Sequence, residues 1–323
     1  MSAPLAPSFT EFQKLSKDIR TAVRTLDRRE ARYLVDTYYQ MQEYRISSDN
    51  QVRSMATDGE PHETLSFFGD QMRALEGQIK TVLKDWVETE PSDLGKWAIS
   101  ITGIGPVIAA GLLAHIDIEK ANTAGQIWRF AGLDPTSVWN KGEKRPWNAS
   151  LKVICWKAGE SFVKVSGNEK DVYGKYYIAR KQFENERNDA VIEVTPVDIR
   201  PTDAHSMNEQ GIVGYLAGNS DDIKVYQISG LLFAGGNAQA AWQTLNRKKI
   251  GKDTDAYKAY SKGKLPPAHI HARAKRYAVK LFIAHYHEVG RKLAGLPVPA
   301  PYPIAILGHS DYIAPPNGNG EAA

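Results

Sequence analysis

The spacing of apolar and polar positions predicts helices over most of this chain. Ser8 and Glu11 have the separation of a capping box, and Phe9, Phe12, Leu15, Ile19, Val23 and Leu26 follow at helical intervals. This character runs through a tyrosine-rich stretch to about Arg53, and Asp58-Gly59-Glu60-Pro61 breaks it. The clearest pattern follows. Leu65, Phe68, Met72, Leu75, Ile79, Val82 and Trp86 recur at steps of three and four, a heptad seam. The two helical segments form either an antiparallel hairpin packed within one chain or a dimerising coiled coil, and three heptads do not choose between them.

The next pair of elements surrounds a glycine-rich bend. Ser92 to Ile101 has a capping serine and apolar residues at Leu94, Trp97 and Ile101, which predicts a short helix. Pro106 to Ile116 has proline at the first helical position and apolar residues at Val107, Ile108, Ala109, Leu112 and Leu113. Two helices joined through Thr102-Gly103-Ile104-Gly105 make a helix-hairpin-helix. Glycines suit such a bend because it turns sharply and brings its backbone close to whatever it contacts. The amides of the turn and of the following first helical turn are expected to face outward without internal partners, at the positive end of a helix dipole. A DNA phosphate fits that position, and such contacts hold a protein on DNA without reading sequence. A tight turn between packed helices, with no ligand, accounts for the same spacing.

Farther on, Thr123 to Ala131 predicts a helix stopped by Gly132, with a turn at Gly132-Leu133-Asp134-Pro135 and a polar, basic loop from Asn140 to Pro146. Ser150 to Val165 and Tyr173 to Arg187 return to helical periodicity. From about Asn188 to Lys264 the texture changes to short β-type pieces (191–194 and 224–228), many Gly, Asp and Asn, a helix near Ala238 to Arg247 and the basic run Arg247-Lys248-Lys249. Pro266-Pro267 opens a strong helix from Ala268 to Lys292, and the last 28 residues, rich in Pro, Gly and Asn, read as an extended or disordered tail. The expected organisation is mainly α: an N-terminal helical hairpin or coiled coil (1–91), a helix-hairpin-helix core (92–187), a small α+β insertion (188–264), a closing helix (265–295) and the tail (296–323).

Composition narrows the function. The chain of 323 residues is 42% apolar and 24% charged, as in a soluble globular protein, and its net charge of +4 permits nucleic-acid binding without demanding it. The single cysteine, Cys155, excludes an internal disulfide and a cysteine-rich zinc site and reads as a packed thiol. No leader pattern and no apolar run of membrane length occurs, so a cytoplasmic protein with no membrane partner is expected. Asp117, Glu119 and Asp134 near the hairpin read as caps and solvated charges rather than metal ligands. His269/His271 and His285/His287 have a spacing that does not share a metal on a helix and read as surface or DNA-facing residues. No metal or cofactor is expected.

The segment Ile101-Thr-Gly-Ile-Gly-Pro-Val-Ile-Ala-Ala-Gly-Leu-Leu-Ala-His-Ile116, followed by Phe130-Ala-Gly-Leu-Asp-Pro135, resembles the C-terminal transposase domain of the bridge-RNA-guided insertion-sequence transposases. Tyr173 to Asn188 and Pro267 to Ile283 resemble later helices of that family, so the likeness covers 92–187 and 265–290. It implies DNA transposition or recombination as the setting. In the family a RuvC-like domain precedes this region, whereas residues 1–91 show only helical patterns. The family also places a nucleophilic serine in the loop after Gly-Leu-x-Pro, and here Asn140 stands at that position, with no nucleophilic oxygen. Ser137 and Ser150 are the nearby candidates for a catalytic serine in a re-registered loop.

The expected function is DNA binding by a transposase-derived protein without its own catalytic serine. Gly103, Ile104, Gly105 and Val107 are expected to hold phosphate, with Lys141, Lys144 and Arg145 in support and Arg273, Lys275 and Arg276 as a further basic stripe. Partners are DNA, with structured RNA and a second copy of the chain as further candidates. The alternatives are an active transposase component working with a RuvC-like partner and a guide RNA, or a helical scaffold that assembles subunits.

Overall fold

The computed structural model describes residues 15–55, 62–89, 93–202, 211–218, 221–301, 304 and 311–317. The chain is mainly helical with a small antiparallel sheet, and it divides into two compact units. The first runs to Val165 and takes in Glu169–Val172 and the chain from Val279 onward; the second comprises Ser166–Asn168 and Tyr173–Ala278.

In the first unit, α1 (Lys17–Ala22) starts at Ser16, whose hydroxyl accepts the Ile19 N–H at 3.2 Å, and passes through a 3-10 turn (Val23–Thr25). Then α2 (Arg28–Met55) begins afresh, so the continuous helix expected up to Arg53 is interrupted. The cause is a reciprocal cap: Asp27 Oδ1 accepts the N–H of Arg29 (2.6 Å) and of Glu30 (2.8 Å), while Glu30 Oε2 accepts the N–H of Asp27 (2.7 Å). The expected cap at Ser8 and Glu11, the break at 58–61 and the capping Ser92 lie outside the described residues.

Helix α3 (Glu63–Thr89) returns antiparallel to α2. Asp49 pairs with Arg73 at 3.0 Å, Arg45 with Glu76 at 2.7 Å, and the Trp86 indole donates to the Leu26 carbonyl at 3.1 Å. Within one chain this hairpin buries Ile79, Val82 and Trp86 of the heptad seam and leaves Leu65 and Phe68 exposed.

Two short helices follow, α4 (Leu94–Ser100) and α5 (Pro106–His115). Helix α5 is apolar on all sides, as a central core helix must be, and eight of its ten residues are buried. Its C-terminal end is tied to α2, where Arg32 Nε donates to the Ala114 carbonyl at 2.8 Å. The sequence permits this crowding with small residues. A Cβ at Gly111 would lie 2.6 Å from Ile154 Cδ1 of α7 (Ala149–Val165), so α5 and α7 approach each other as closely as they do only through glycine.

Between them, α6 (Ala124–Phe130) is capped by Thr123 and Gln126 and ends at Gly132, whose φ of 64° is left-handed. The later half of the last helix, α11 (Pro267–Leu293), completes this core: the Trp97 and Phe282 rings stack at 6.1 Å, and Phe162 meets Phe282 edge-on. The tail is not wholly free, contrary to expectation. The Trp97 indole donates to the Pro316 carbonyl at 2.8 Å, and His285 Nε2 donates to the Ile313 carbonyl at 2.9 Å. Two buried donors find acceptors there that composition could not reveal.

The second unit contains α8 (Tyr173–Asp189) and the strands β1 (Ile192–Val194), β2 (Ile199–Pro201), β3 (Ile212–Leu216), β4 (Lys224–Ile228) and β5 (Leu231–Ala234), all antiparallel in the order β1-β5-β4-β3-β2. Helices α9 (Ala238–Arg247) and α10 (Asp255–Tyr260) follow. One core joins Ile212, Tyr226, Ile228 and Phe233 to Ala241 and Tyr260; a smaller one gathers Val194, Val225 and Ala234. Of this sheet the sequence pattern indicates only β1 and β4. The others are short, and β2 ends on Pro201, which an edge strand tolerates.

Candidate nucleic-acid interface

The bend between α4 and α5 is built by two glycines with different duties. Gly103 has φ of 97°, its carbonyl accepts the Ser161 hydroxyl, and a Cβ there would lie 3.2 Å from Val165 Cγ2. It therefore fixes the turn against the end of α7. Gly105 caps α5 at φ −89° and ψ 172°, and a Cβ there would meet nothing within 4 Å. Its side is open.

The Ile104 N–H donates to the Ile101 carbonyl at 2.9 Å, closing the turn, so this amide is not the outward-facing donor the sequence suggested. Among the described residues the N–H groups of Gly105, Val107 and Ile108 have no acceptor. They are the donors a helix N-terminus leaves open, at the positive end of its dipole. The side chains of Ile104 and Val107 are buried, so any contribution from these residues is through the backbone.

Thr102 Oγ1 donates to the Lys170 carbonyl at 3.1 Å, which brings an exposed lysine from the loop after α7 to the turn. Lys164, on the last turn of α7, is also exposed beside the Val165 contact. Sequence reasoning missed both, because the Thr102–Lys170 contact joins positions 68 residues apart without a local signal.

At the other end of α7, Asn148 accepts the Leu151 N–H at 2.8 Å, and its own N–H donates to the Phe130 carbonyl at 2.8 Å. These bonds anchor the basic loop. Lys141, Lys144 and Arg145 are exposed and have no ion-pair partner among the described residues. The Arg145 guanidinium lies 5.2 Å from the Trp139 ring centre, and Lys152 Nζ lies 4.1 Å from that of Trp147. The anchor of this loop and the contacts of Gly103 are separated by most of α7, roughly 20 Å at 1.5 Å per residue. Turn and loop are thus too far apart to hold one small ligand group between them.

Residues 97–140 match the model of the transposase IS116/IS110/IS902 family. This transposase-related segment begins on α4 at Trp97, includes the bend, α5 and α6, and ends in the loop at Asn140. No curated protein and no solved structure matches the chain.

Within the transposase-related segment, Asn140 is held by the loop itself, its Nδ2 donating to Glu143 Oε1 at 3.2 Å. Ser137 is half-buried in the turn before it, and Ser150 is half-buried in the first turn of α7. Among the described residues neither hydroxyl is hydrogen-bonded to a base. Asp134 accepts the N–H (2.9 Å) and hydroxyl (2.7 Å) of Thr136, and these bonds, with a smaller contribution from the charge of Arg129, hold its carboxyl below the usual range. Asp117 is likewise lowered by its pairing with Lys120 at 2.9 Å. Both acids cap turns.

The remaining expected residues lie elsewhere. Arg273 belongs to the second unit and sits 3.3 Å from Glu184, a fully buried carboxylate that also takes Arg180 at 2.6 Å. Its charge is committed there. Lys275 is half-buried and Arg276 is exposed. The histidines are not surface groups: His285 and His287 are buried, and His287 Nε2 donates to the Ala121 carbonyl at 2.8 Å. His269 and His271 are half-buried and bonded to Tyr260 and Tyr177 at 2.9 Å each. Their helix faces packed protein on those sides, which the His-x-His spacing alone does not disclose. Cys155 is fully buried, and burial pushes its thiol up to about 12, the packed role expected of it.

Proposed function

We propose that this chain is a DNA-binding, transposase-related protein that grips the phosphate backbone through the bend between α4 and α5, a helix-hairpin-helix. The observation that carries this reading is the open side of Gly105, whose own amide and those of Val107 and Ile108 in α5 are unpartnered among the described residues, inside the segment that matches a transposase family. Gly105, Val107 and Ile108 supply the donors, with Gly103 and Ile104 shaping the turn. Lys170, bonded to the turn through its carbonyl, and Lys164, next to Val165, are lysines on the segments that touch it. Lys141, Lys144 and Arg145 meet phosphates several steps away on the same duplex, and their aromatic neighbours Trp139 and Trp147 hold the loop. Arg276 is the exposed member of the stripe on α11. None of these groups reads a base edge, so the binding is weakly specific.

Asn140 in place of a serine, and hydroxyls at Ser137 and Ser150 that meet no base among the described residues, support a role without a nucleophile of its own. No cofactor or metal enters this mechanism. The reading is tested by titrating a labelled duplex against the full chain at several salt concentrations. The logarithm of affinity is expected to fall by about 0.9 per logarithm of salt for each phosphate contacted. Gly105→Glu is expected to weaken binding and reduce that slope by about one contact. Binding that is indifferent to this change overturns the assignment of the bend. A covalent DNA adduct lost on replacing Ser137 or Ser150 would instead establish the active-transposase alternative.

A further inference from the structure

The sheet-bearing unit has a feature that the bend does not explain. Two cavities of about 350 and 420 Å³ border Trp242 and Asn246 of α9. Each is within the roughly 300–1,000 Å³ of ligand sites, although both are open rather than enclosed and neither is mainly apolar. Ile212 of β3 and Lys224 of β4 bound the first; Gln227 and Ile228 of β4, with Tyr257 of α10, bound the second.

Four cations, Lys224, Arg247, Lys248 and Lys249, line these cavities, all exposed; among the described residues none is in an ion pair and no carboxylate lines either cavity. Four side-chain amides, on Gln227, Gln239, Gln243 and Asn246, also face them and make no hydrogen bond among the described residues. Trp242 is half-buried. Its ring is held by Tyr226 at 5.9 Å and by the backbone of Gly211, where a Cβ would lie 1.8 Å from Cζ2. Yet its indole N–H has no acceptor among the described residues, whereas those of Trp86, Trp97, Trp128 and Trp139 each donate to a carbonyl.

We propose that this groove along α9 binds an unpaired nucleic-acid strand. A fixed aromatic ring offers a stacking surface to a base, free amides provide both donors and acceptors for base edges, and uncompensated cations attract phosphates. A duplex keeps its bases stacked on one another and presents no free base face to Trp242, so the groove discriminates against it. This site is independent of the bend.

The test uses the intact chain, labelled oligo-dT and oligo-U of about ten nucleotides, and fluorescence anisotropy at ~50 mM salt. Binding of either strand supports the site, and the ratio of the two affinities identifies the source as DNA or RNA. Trp242→Leu is expected to weaken binding about ten-fold or more, with Trp242→Phe within about three-fold of the parent. Because Trp242 also packs inside its unit, exposed positions give the decisive variants: Lys248→Glu with Lys249→Glu, and separately Asn246→Ala. Each is expected to weaken single-strand binding several-fold, whereas Gly105→Glu leaves it unchanged. The proposal is overturned if neither strand binds at low salt, or if the exposed variants bind as the parent does. Loss of single-strand binding in Gly105→Glu alone would overturn it too, by moving that activity to the bend.

Discussion

Replacing Gly105 with aspartate separates what the bend does for the fold from what it does for a ligand. Gly105 occupies the N-cap of α5 with no side-chain cap bond, its backbone is in an ordinary extended conformation, and a Cβ there meets nothing within 4 Å. An aspartate can therefore enter without strain and accept one of the open amides of the first turn. Capping improves on glycine by a few tenths of a kcal/mol, and a carboxylate at the positive helix end adds about 0.3–1 kcal/mol. The melting temperature should rise by about 1–3 °C, measured by circular dichroism. Duplex binding should move the other way. The same carboxylate occupies the amide and repels a phosphate, at about 1 kcal/mol for charges 4 Å apart in water and about 4 kcal/mol at the dielectric of a protein surface. A ten-fold or greater loss of affinity is the expected result, read by anisotropy at low salt. Gly105→Ser supplies a neutral cap and should keep the stability gain while binding within about three-fold of the parent. An aspartate variant that melts higher and still binds duplex like the parent would refute the reasoning, because it would show that the amides can be filled without consequence.

The neighbouring glycine should behave in the opposite manner: Gly103→Ala is expected to cost about 1–2 kcal/mol, seen in a thermal melt, since its φ of 97° disfavours any side chain and a Cβ would press on Ser161 and Val165. Stability should also fall as the solution is acidified. Burial and the charge of Arg32 push His115 down to about 4 from 6.5, so the folded form resists a proton that the unfolded chain accepts. The stability is complete above about pH 6.5 and is lost toward pH 4; His115 alone accounts for about 2 kcal/mol at pH 5, and a melt that does not change over this range would contradict it. Ending the chain at Ser310 should destabilise the first unit by about 1–3 kcal/mol, because buried Trp97 and His285 lose carbonyl acceptors, with an accompanying change in tryptophan emission.

The helical parts of the fold were legible because their signals are local. The proline at the start of α5, the Thr123–Gln126 cap of α6 and the left-handed Gly132 act within a few residues, and the observed helices follow them closely. The same rule explains a miss: Asp27 and Glu30 also form a local cap, but it lies within a run of apolar positions whose periodicity continues across it, so one helix was expected where two occur. The sheet was less legible. Its strands are three to five residues long, too short for alternation to stand out, and β3 carries a glycine and a register shift.

For the candidate interface, the sequence reveals which residues have suitable chemistry but not which of them are already occupied. Arg273 and Arg276 look equivalent as positions on one basic helix, yet a fully buried Glu184 claims the first and leaves the second exposed. Gly103 and Gly105 look equivalent as a Gly-x-Gly pair, yet one is a packing contact with α7 and the other faces open space. In both pairs the distinguishing partner is distant in sequence, and only the packing of the chain decides which group is committed. A backbone amide or a cation can serve a ligand only while the protein leaves it unpaired. By that criterion the donors beside Gly105 and the cations of the loop before α7 remain available to a polyanion, whereas Arg273, His285 and His287 are already engaged in holding the structure together.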